Sequence, residues 1–497
     1  MTERELKLAL PGRFTIPPLT VGDDPLVPVA LDDLHLRATY YDTSDLRLAR
    51  HGVTLRYRTG DDTGPTWTLK LPVSSAGAAL ERNELDFGGT PREPPAEARA
   101  LVTAFARREP LVAVATLRTR RRRLRLLQDE EPVAELADDE VSVIEGRRVV
   151  SRFRELELEA TTDTLDLAPL ADQLHRAGAT VAEPIPKVVR ALGSRATAPA
   201  DITPARISPD PTMADALVAS VAGALARLVH NDPLARLGQE EGIHQVRVAL
   251  RRLRSDLRTL GDAVDPAWRS RIEPQLRSVA GSLGDARDLD VLMGHLRKDA
   301  RDAGLSLAPL FRALDARRAS AHEQVRATLE ANDYPGLLDA LVEAIASPPI
   351  GPSADARADT ALPELVQDAW RRLQQRADDL RPDTPDADFH RARIAAKRAR
   401  YASELAARVL GDKRADGANE LAARVSELQD ALGAVQDAAV AEGAIRENLH
   451  APKVTATYAF EAGRLVERQL LRSAQAREAF FDLWPKVRKR RWRKWMT

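Results

Sequence analysis

The chain has 497 residues, a length that predicts more than one domain, with two to four as the prior expectation. Hydrophobic residues make up 44% and charged residues 30%, a composition that supports buried cores and argues against intrinsic disorder. Lys plus Arg and Asp plus Glu both number 74, so a polycation that coats nucleic acid is not expected, and affinity for anions must come from local charge arrangement. The sequence has no cysteine, which excludes disulfides, thiolate metal sites and cysteine nucleophiles.

The hydropathy pattern argues against a membrane or secreted protein. In the sequence, no apolar run approaches the roughly 18–20 residues that a membrane span needs. The first five residues are polar and charged, and they lack the apolar core of a signal peptide. We therefore expect a cytoplasmic location.

The periodicity of the sequence changes near residue 200. Up to about Lys187 the chain has short alternating segments separated by turn residues, a pattern typical of strands, with helical stretches around residues 96–108 and 167–178. Residues 196–211 are rich in Pro, Ala and Thr and predict a linker. From there on, the 3.6-residue period predicts helices with breaks at residues 265–266, 347–352 and 381–385. We therefore predict domains at 1–195 and 212–497 on either side of the linker 196–211.

Charged residues in the N-terminal half follow the two-residue period of strands. These rows are Glu3, Glu5 and Lys7; Arg56 and Arg58; Thr66, Thr68 and Lys70; Arg82, Glu84 and Asp86; Arg118, Arg120 and Arg122; and Glu155, Glu157 and Glu159. Each row alone fits the solvated face of an antiparallel sheet. Together, acidic rows at both ends and basic rows between them suggest a barrel with a charged interior. Such an interior is compatible with folding if it binds a polyanion together with a divalent metal.

The N-terminal half resembles the CYTH domain, the family of triphosphate tunnel metalloenzymes. The segment Glu-Arg-Glu-Leu-Lys at residues 3–7 is similar to the ExExK motif of that family, and the charged rows follow in the family's order up to Pro186 and Lys187. The resemblance covers about residues 1–195 and implies an eight-stranded antiparallel β-tunnel with flanking helices. It also implies Mg²⁺ or Mn²⁺ as cofactor and a triphosphate as substrate.

The resemblance further implies roles for individual residues. Glu3, Glu5 and Lys7 would be catalytic. The metal ligands, or the residues that orient a metal-bound water, would be Glu3, Glu5, Glu155, Glu157 and Glu159. The triphosphate-binding residues would be Lys7, Arg56, Arg58, Lys70, Arg82, Arg118, Arg120 and Lys187. Which acid among Asp138, Asp139 and Glu140 faces inward stays open, as does the register of the arginine run at 120–123.

The helical half contains a repeated basic pattern. Residues 244–254 and 390–400 each begin with His and carry basic residues at +3, +7, +8 and +10, of which three fall with the His within an arc of roughly 80°. The strings at 283–288 and 432–437 also match, except that Ala434 occupies the position of Asp285. Acidic residues are missing from most of both stripes, so the cations lack local partners and favour a polyanion ligand. The pattern predicts a duplicated helical bundle with repeats at about 212–347 and 355–497.

This half resembles the CHAD domain, a conserved-histidine α-helical domain often found behind CYTH domains. The resemblance covers about residues 212–497 and implies binding of inorganic polyphosphate on a basic surface. The residues that would bind it are His244, Arg247, Arg251, Arg254, His390, Arg393, Lys397 and Arg400. The basic, Trp-containing tail at 484–495 is expected to cap the bundle, with nucleic acid or a membrane surface as alternative contacts.

We therefore predict an α+β multidomain hydrolase, a metal-dependent triphosphatase for inorganic tripolyphosphate with a C-terminal polyphosphate-binding domain. The alternatives are a non-catalytic polyphosphate-binding or granule-associated protein, a nucleic-acid binder, and a class IV-type adenylate cyclase. The true triphosphate, the metal, the oligomeric state and any coupling between the domains stay open.

Overall fold

The computed structural model describes residues 5–62, 64–72, 82–162, 165–181, 185–450 and 454–496. The side chains of Glu5, Arg82, Val181 and Asp412 are not described. The chain forms two compact units, residues 1–201 and 202–497. Asp201 accepts hydrogen bonds from His51 and Arg107, so the first residues of the predicted linker belong to the N-terminal unit.

The N-terminal unit is built around one antiparallel sheet. Its strands, with a separate two-stranded pair β2 and β3, are β1 (Glu5–Ala9), β2 (Thr20–Val21), β3 (Asp24–Pro25), β4 (Val27–Asp42), β5 (Thr54–Thr59), β6 (Thr66–Pro72), β7 (Arg82–Phe87), β8 (Val112–Gln128), β9 (Glu131–Glu145), β10 (Arg148–Ala160) and β11 (Thr180–Val181). The sheet order is β11-β1-β10-β9-β8-β4-β5-β6-β7. The predicted eight-stranded antiparallel sheet is confirmed, with two-residue β11 as a ninth strand at the edge.

Short helices connect and flank these strands. They are α1 (Arg47–Arg50), α2 (Ala96–Leu101), α3 (Thr103–Ala106), α4 (Ala168–Arg176) and α5 (Lys187–Leu192), followed by a 3-10 turn at Gly193–Arg195. Asp42 ends β4 and accepts backbone N–H bonds from Thr43, Leu48 and Ala49 at 2.7–2.9 Å, so its buried carboxylate fixes the turn into α1.

The two faces of the sheet have different chemistry because side chains alternate along each strand. In β10, Leu156 and Leu158 are fully buried and pack in one hydrophobic cluster with Leu170 and Leu174 of α4. The glutamates between these leucines point to the opposite face. The apolar core therefore lies outside the sheet, and the charged rows are left to line the concave side.

The C-terminal unit is all helical, as predicted. Its helices are α6 (Met213–Arg236), α7 (Glu240–Leu260), α8 (Pro266–Asp302), α9 (Ala308–Glu330), α10 (Tyr334–Ala346), α11 (Ala358–Asp378), α12 (Asp386–Val409), α13 (Asp412–Leu449) and α14 (Ala456–Val487), with 3-10 helices at Gly261–Ala263 and Arg490–Met496. Of the helices described, α6 alone is long and apolar enough to cross a membrane, but much of it is buried in the bundle, as in the core helix of a soluble protein.

The helices form two similar series, α6 to α9 and α11 to α14, in which consecutive helices pack on each other. The second helix of each series, α7 and α12, also contact one another. A hydrophobic cluster joins the two series, with Leu296 of α8, Leu310 of α9, Ile445 of α13 and Leu465 of α14 fully buried together. This arrangement brings the two basic stripes, one on α7 and one on α12, to neighbouring positions.

Two candidate anion-binding sites

The concave face of the sheet surrounds a cavity of about 220 Å³, the sheet cavity. Its cationic lining residues are Lys7, Arg56, Arg58, Lys70, Arg121 and Lys187, and its acidic lining residues are Glu84, Asp139, Glu157 and Glu159. Tyr40, Thr54 and Thr119 add polar or aromatic surface. The excess of cations over carboxylates among the described lining residues makes the sheet cavity complementary to a small polyanion.

Glu157 lies at the centre of a dense ion-pair network. Its carboxylate contacts Lys187 Nζ at 2.6 Å, Lys7 Nζ at 2.9 Å and an Arg121 nitrogen at 2.5 Å. The strand register produces this meeting, since Lys7 of β1 lies directly across from Glu157 of β10. Burial would raise the pKa of Glu157, but the charges of Lys187, Lys7 and Arg121 outweigh burial and hold that pKa well below its ordinary value.

Asp139 on the neighbouring strand β9 and Glu155 on β10 continue this network. Asp139, fully buried, accepts two hydrogen bonds from Arg121 at 2.7 and 2.8 Å and contacts Lys187 at 2.9 Å. Glu155 contacts Lys187 at 2.8 Å. Burial would lower the pKa of Lys187, but the carboxylates of Glu157, Asp139 and Glu155 raise it, so the ammonium stays charged.

A second cluster of charges lines the cavity on β5 to β7. Lys70 Nζ lies 2.6 Å from Glu84, whose carboxylate is also 3.9 Å from Arg56. Arg58 pairs with Asp61 at 2.6 Å. Burial would raise the pKa of Glu84, but Lys70, Arg56 and Arg58 lower it below the ordinary value. Each carboxylate of this cluster therefore already neutralises a cation that faces the cavity.

The structure brings together most of the residues predicted for this site. Glu157, Glu159, Lys7, Arg56, Arg58, Lys70 and Lys187 line the cavity, and Glu155 lies beside it. Glu3 lies outside the described residues, as do the side chains of Glu5 and Arg82, although the backbone of Glu5 is opposite Glu159 on β10.

The predicted placement of Arg118 and Arg120 in the cavity is wrong. Both are exposed on the other face of β8, where Arg120 pairs with Asp33 at 3.1 Å. Arg121, one position along the strand, lines the cavity instead. Because side chains alternate, a register error of one residue exchanges the two faces of a strand.

The same alternation identifies the inward acid of β9. Asp139 lines the cavity, whereas Asp138 pairs with Arg154 at 2.8 Å and Glu140 pairs with Arg122 on the opposite face. The register places Arg121 of β8, Asp139 of β9 and Glu155 of β10 side by side.

The described residues do not by themselves form a metal site. Within them, no three acidic or histidine side chains lie close enough together to hold a metal ion. Asp139 and Glu157 offer the oxygen ligands that Mg²⁺ and Mn²⁺ prefer, but both are engaged by Arg121 and Lys187.

The helical unit contains a larger cavity of about 970 Å³, the helical cavity. Its cationic lining residues are Arg247, Arg251, Arg287, Lys298, Arg393, Lys397 and Arg472; its histidines are His244, His295 and His390; and its acids are Asp288, Asp430 and Asp437. Three members of each predicted stripe, His244, Arg247 and Arg251 on α7 and His390, Arg393 and Lys397 on α12, therefore face one common space.

The last member of each stripe lies outside the helical cavity. Position +10 is about 15 Å along the helix from the His. Arg400 instead lies over the Tyr401 ring and donates to Ser426 at 3.1 Å. Burial and the charges of Arg277 and Arg258 lower the pKa of Arg254, which marks a different electrostatic neighbourhood. Arg254 and Arg400, which were predicted to share one basic surface with the other stripe residues, therefore do not line the helical cavity.

Glycines lie beside the stripe arginines in both repeats. A Cβ atom on Gly284 would lie 3.6 Å from Arg247 Nε, and one on Gly433 would lie 3.8 Å from Arg393 Nε. The matching strings at 283–288 and 432–437 thus place a glycine next to a stripe arginine in each repeat, where a Cβ atom would be in ordinary van der Waals contact with the guanidinium. The strings also add Asp288, which pairs with Arg247 at 2.9 Å, and Gln436, which contacts His390 at 2.7 Å.

Only part of the positive charge in the helical cavity is neutralised: Arg247, Arg287, Lys298 and Arg472 form ion pairs, and the other described cationic lining residues do not. Among the described residues, Arg251, Arg393 and Lys397 form no ion pair. Burial and the charges of Arg393, Arg251 and Arg247 lower the pKa of Lys397 from 10.5 to about 7, although Asp288 opposes the shift. Such unpaired, partly buried cations favour a polyanion as ligand.

Sequence analysis missed four cationic or titratable residues of this cavity. Arg287, His295 and Lys298 lie on α8 and Arg472 lies on α14. Arg287 lies within the segment 283–288 that helped to identify the internal repeat, but the corresponding residue of the second repeat, Gln436, is neutral. The other three have no counterpart in the stripe pattern.

The C-terminal tail packs on the bundle. Trp484 stacks on Trp370 and donates to Asp378 at 2.8 Å, and Arg493 lies over the Trp370 ring. A Cβ atom on Gly417 would lie only 2.7 Å from Trp495. These contacts agree with a capping role for the tail.

The structure has two compact units, each with a cavity lined by cations, and comparison with known proteins gives the family. A model of the CYTH domain matches residues 1–180, and a model of the CHAD domain matches residues 219–446. The chain belongs to the CYTH family in its N-terminal part, a triphosphate tunnel family, and to the CHAD family in its C-terminal part. Uncharacterized proteins from two strains of Mycobacterium tuberculosis are 30% identical over 406 residues, which cover 74% of this chain and 75% of each relative.

Three solved structures are also similar. PptA from Streptomyces chartreusis shows 23% identity and a TM-score of 0.47, and covers 56% of this chain and 100% of its own. The CHAD domain from the plant Ricinus communis shows 24% identity and a TM-score of 0.45, with 56% and 96% covered. A Hippeastrum protein, named for adenylyl cyclase activity and reported to have a dominant triphosphatase activity, shows 17% identity and a TM-score of 0.25, with 38% and 94% covered. These similarities are weak and carry no functional argument.

Proposed function

We propose that the N-terminal unit is a metal-dependent triphosphatase that hydrolyses inorganic tripolyphosphate and that the C-terminal unit binds inorganic polyphosphate. Membership of the CYTH family supports an enzyme that acts on phosphoanhydrides. The observation that carries the proposal is the sheet cavity itself, in which six cations surround a small space together with buried carboxylates.

The cationic side chains have the geometry to hold a short phosphate chain. Lys7, Arg121 and Lys187 lie around Glu157, while Arg56, Arg58 and Lys70 lie on the strands β5 and β6. Charge-assisted hydrogen bonds from guanidinium and ammonium groups are the strong contacts to phosphate oxygens. In phosphoryl transfer, positioning and neutralisation of charge supply most of the catalysis that a protein contributes.

The carboxylates favour an enzyme over a protein that only binds polyanions. Glu157 and Asp139 reduce the positive charge available to phosphate, so a pure anion binder would gain nothing from them. We propose that Glu157, with Glu3, Glu5, Glu155 and Glu159, belongs to the metal-dependent part of the site. Dependence on Mg²⁺ or Mn²⁺ is proposed from family membership, and tests with both metals are needed.

The helical cavity supports the second part of the proposal. Its unpaired cations, contributed by both repeats, suit a long anion better than an isolated phosphate. Because both units belong to one chain, a bound polyphosphate would raise the local concentration of phosphate-chain ends near the sheet cavity. We place this activity in the cytoplasm, with polyphosphate granules as a further site of action.

The first test measures phosphate release from tripolyphosphate by the full chain with Mn²⁺, Mg²⁺ or EDTA. We expect turnover that depends on metal and that falls at least about 100-fold in Glu157→Gln. Glu140→Gln is the matched control, because Glu140 lies on the opposite face of β9 and should leave the rate unchanged. Retained binding of tripolyphosphate by Glu157→Gln would show that the variant is folded.

Two outcomes would overturn the triphosphatase assignment. Absence of turnover with every metal would leave a binding protein, and formation of cyclic AMP and pyrophosphate from ATP without tripolyphosphate hydrolysis would make the protein a cyclase. Polyphosphate binding is tested separately with Arg251→Gln, which should weaken binding by the full chain, against Arg254→Gln, which lies outside the helical cavity and should not. Equal effects of the two variants would refute the assignment of the helical cavity.

A further inference from the structure

A third cavity, of about 370 Å³, lies on the outer side of α12, between α7, α11 and α12. Its cationic lining residues are Arg258, Arg372, Arg376, Arg391 and Arg398. None of its lining residues also lines the helical cavity. We call this space the arginine pocket. It is distinct from both sites described above.

The pseudo-symmetry of the bundle shows that the packing of α7 on α12 does not require the positive charge of the arginine pocket. A constant offset of 146 residues relates the α7 stripe to the α12 stripe, so that Arg252 corresponds to Arg398 and Arg258 corresponds to Glu404. On one side of the α7–α12 contact, Arg252 forms an ion pair with Glu404. On the related side, the equivalent positions hold two arginines, Arg398 and Arg258. The same helix contact is therefore made once with a neutralised pair and once with two like charges.

The like charges of the arginine pocket are poorly compensated. Among the described residues, Arg372, Arg376 and Arg398 form no ion pair, and Arg258 has only a 3.8 Å contact with Glu273. Arg391 pairs with Asp388, which lies outside the pocket. Burial and the charges of Arg258 and Arg372 lower the pKa of Arg398. Asp368 is the one acid in the described lining, and it pairs with Arg371, which is outside the pocket. Convergent cations without partners indicate a site for an anion.

The floor of the pocket is apolar. Leu365 and Ala369 of α11 and Ile394 and Ala395 of α12 line it, and the Ile394 side chain is 39% exposed. An inorganic phosphate chain would leave this surface without a partner. A ligand with a flat or apolar group beside its phosphates would cover it, and guanidinium groups also stack on flat rings.

We propose that the arginine pocket binds an organic phosphate of the nucleotide class. The phosphates lie among Arg258, Arg372 and Arg398, and the ring lies over Ile394 and Leu365. Because this pocket shares no residue with the sheet cavity or the helical cavity, its test can fail without affecting the proposed triphosphatase.

The test is calorimetric binding of ATP to the full chain in EDTA with excess inorganic tripolyphosphate, which is added to compete with ATP at the other two proposed anion sites. We expect ATP to bind under these conditions and Arg258→Glu to weaken it at least about tenfold. Arg258→Glu should fold, since it creates across the helix contact the same pairing that Arg252 and Glu404 already make. Arg372→Gln is a second variant, with a smaller loss of affinity expected.

Arg371→Glu is the matched control, because it changes the net charge by the same amount as Arg258→Glu but at a residue of α11 that does not line the pocket. It should keep the affinity within about twofold. If excess tripolyphosphate abolishes ATP binding, the proposal is overturned, because the pocket would then bind phosphate groups without recognising the rest of the nucleotide. Unchanged affinity in Arg258→Glu, or an equal loss in Arg371→Glu, would overturn it as well.

Discussion

Lys397 provides a quantitative test of the helical cavity. It faces Arg393 on its own helix, Arg251 and Arg247 on α7, Asp288 on α8 and Asp437 on α13. Burial and the surrounding arginines lower its pKa from 10.5 to about 7, so above neutral pH the free protein carries a neutral amine there. A bound polyanion favours the ammonium form and would return the pKa towards its ordinary value, so binding must take up a proton.

The size of the effect follows from this difference in pKa. If binding restores the ordinary pKa, the affinity falls roughly eightfold for each pH unit between about pH 7.5 and about pH 9.5. Interior phosphates of a long chain keep their charge throughout.

The assay is the binding of long-chain polyphosphate to the full protein at constant ionic strength, by titration calorimetry across this pH range. Lys397→Arg is the control, because a guanidinium stays charged and its affinity should vary by less than about twofold. A flat profile in the wild type, or the same slope in Lys397→Arg, would refute the reasoning.

Three further predictions concern other parts of the chain. Asp139→Asn should lower the free energy of unfolding by about 3 kcal/mol, because it leaves the buried charges of Arg121 and Lys187 less compensated. In denaturant titrations, tripolyphosphate should stabilise this variant more than it stabilises the wild type. The depressed pKa of Glu157 means that its contribution to stability is fully present above the ordinary glutamate pKa and is lost as the pH falls from there through the lower pKa of the folded state. Acid unfolding should therefore be steeper in the wild type than in Glu157→Gln. Gly417→Ala should displace Trp495 and speed proteolytic removal of the tail, while tripolyphosphate hydrolysis stays unchanged.

For the N-terminal half, the sequence predicted which side chains face the cavity on most strands, but not on β8. The alternation of side chains along β1, β5 and β6 correctly placed Lys7, Arg56 and Lys70 on the cavity side, because each of these strands carries charged residues on one face only. In β8 both faces carry arginine, so charge could not identify the inward one. The available signal was Leu124 and Leu126, which pack against the outer core and share parity with Arg118 and Arg120.

The helical half was predictable where the repeat is exact. The His and the basic residues at +3 and +7 face the cavity in both copies. The residue at +10 does not, because the stripe is longer than the cavity, and a helical wheel contains no information about length along the axis. Residues from α8 and α14 enter the cavity through tertiary packing, which no local pattern specifies.

The contrast between Arg258 and Glu404 has a consequence for how this bundle was assembled. A symmetric dimer of a single repeat would place the same residue at both related positions, because its interface is isologous. Such a dimer could carry two ion pairs or two arginine clusters, but never one of each. Because the two repeats of this polypeptide are encoded separately, one side can be neutral while the other is charged. Covalent fusion thus allowed the two sides of one symmetric contact to diverge in chemistry while the shared packing of α7 on α12 was kept.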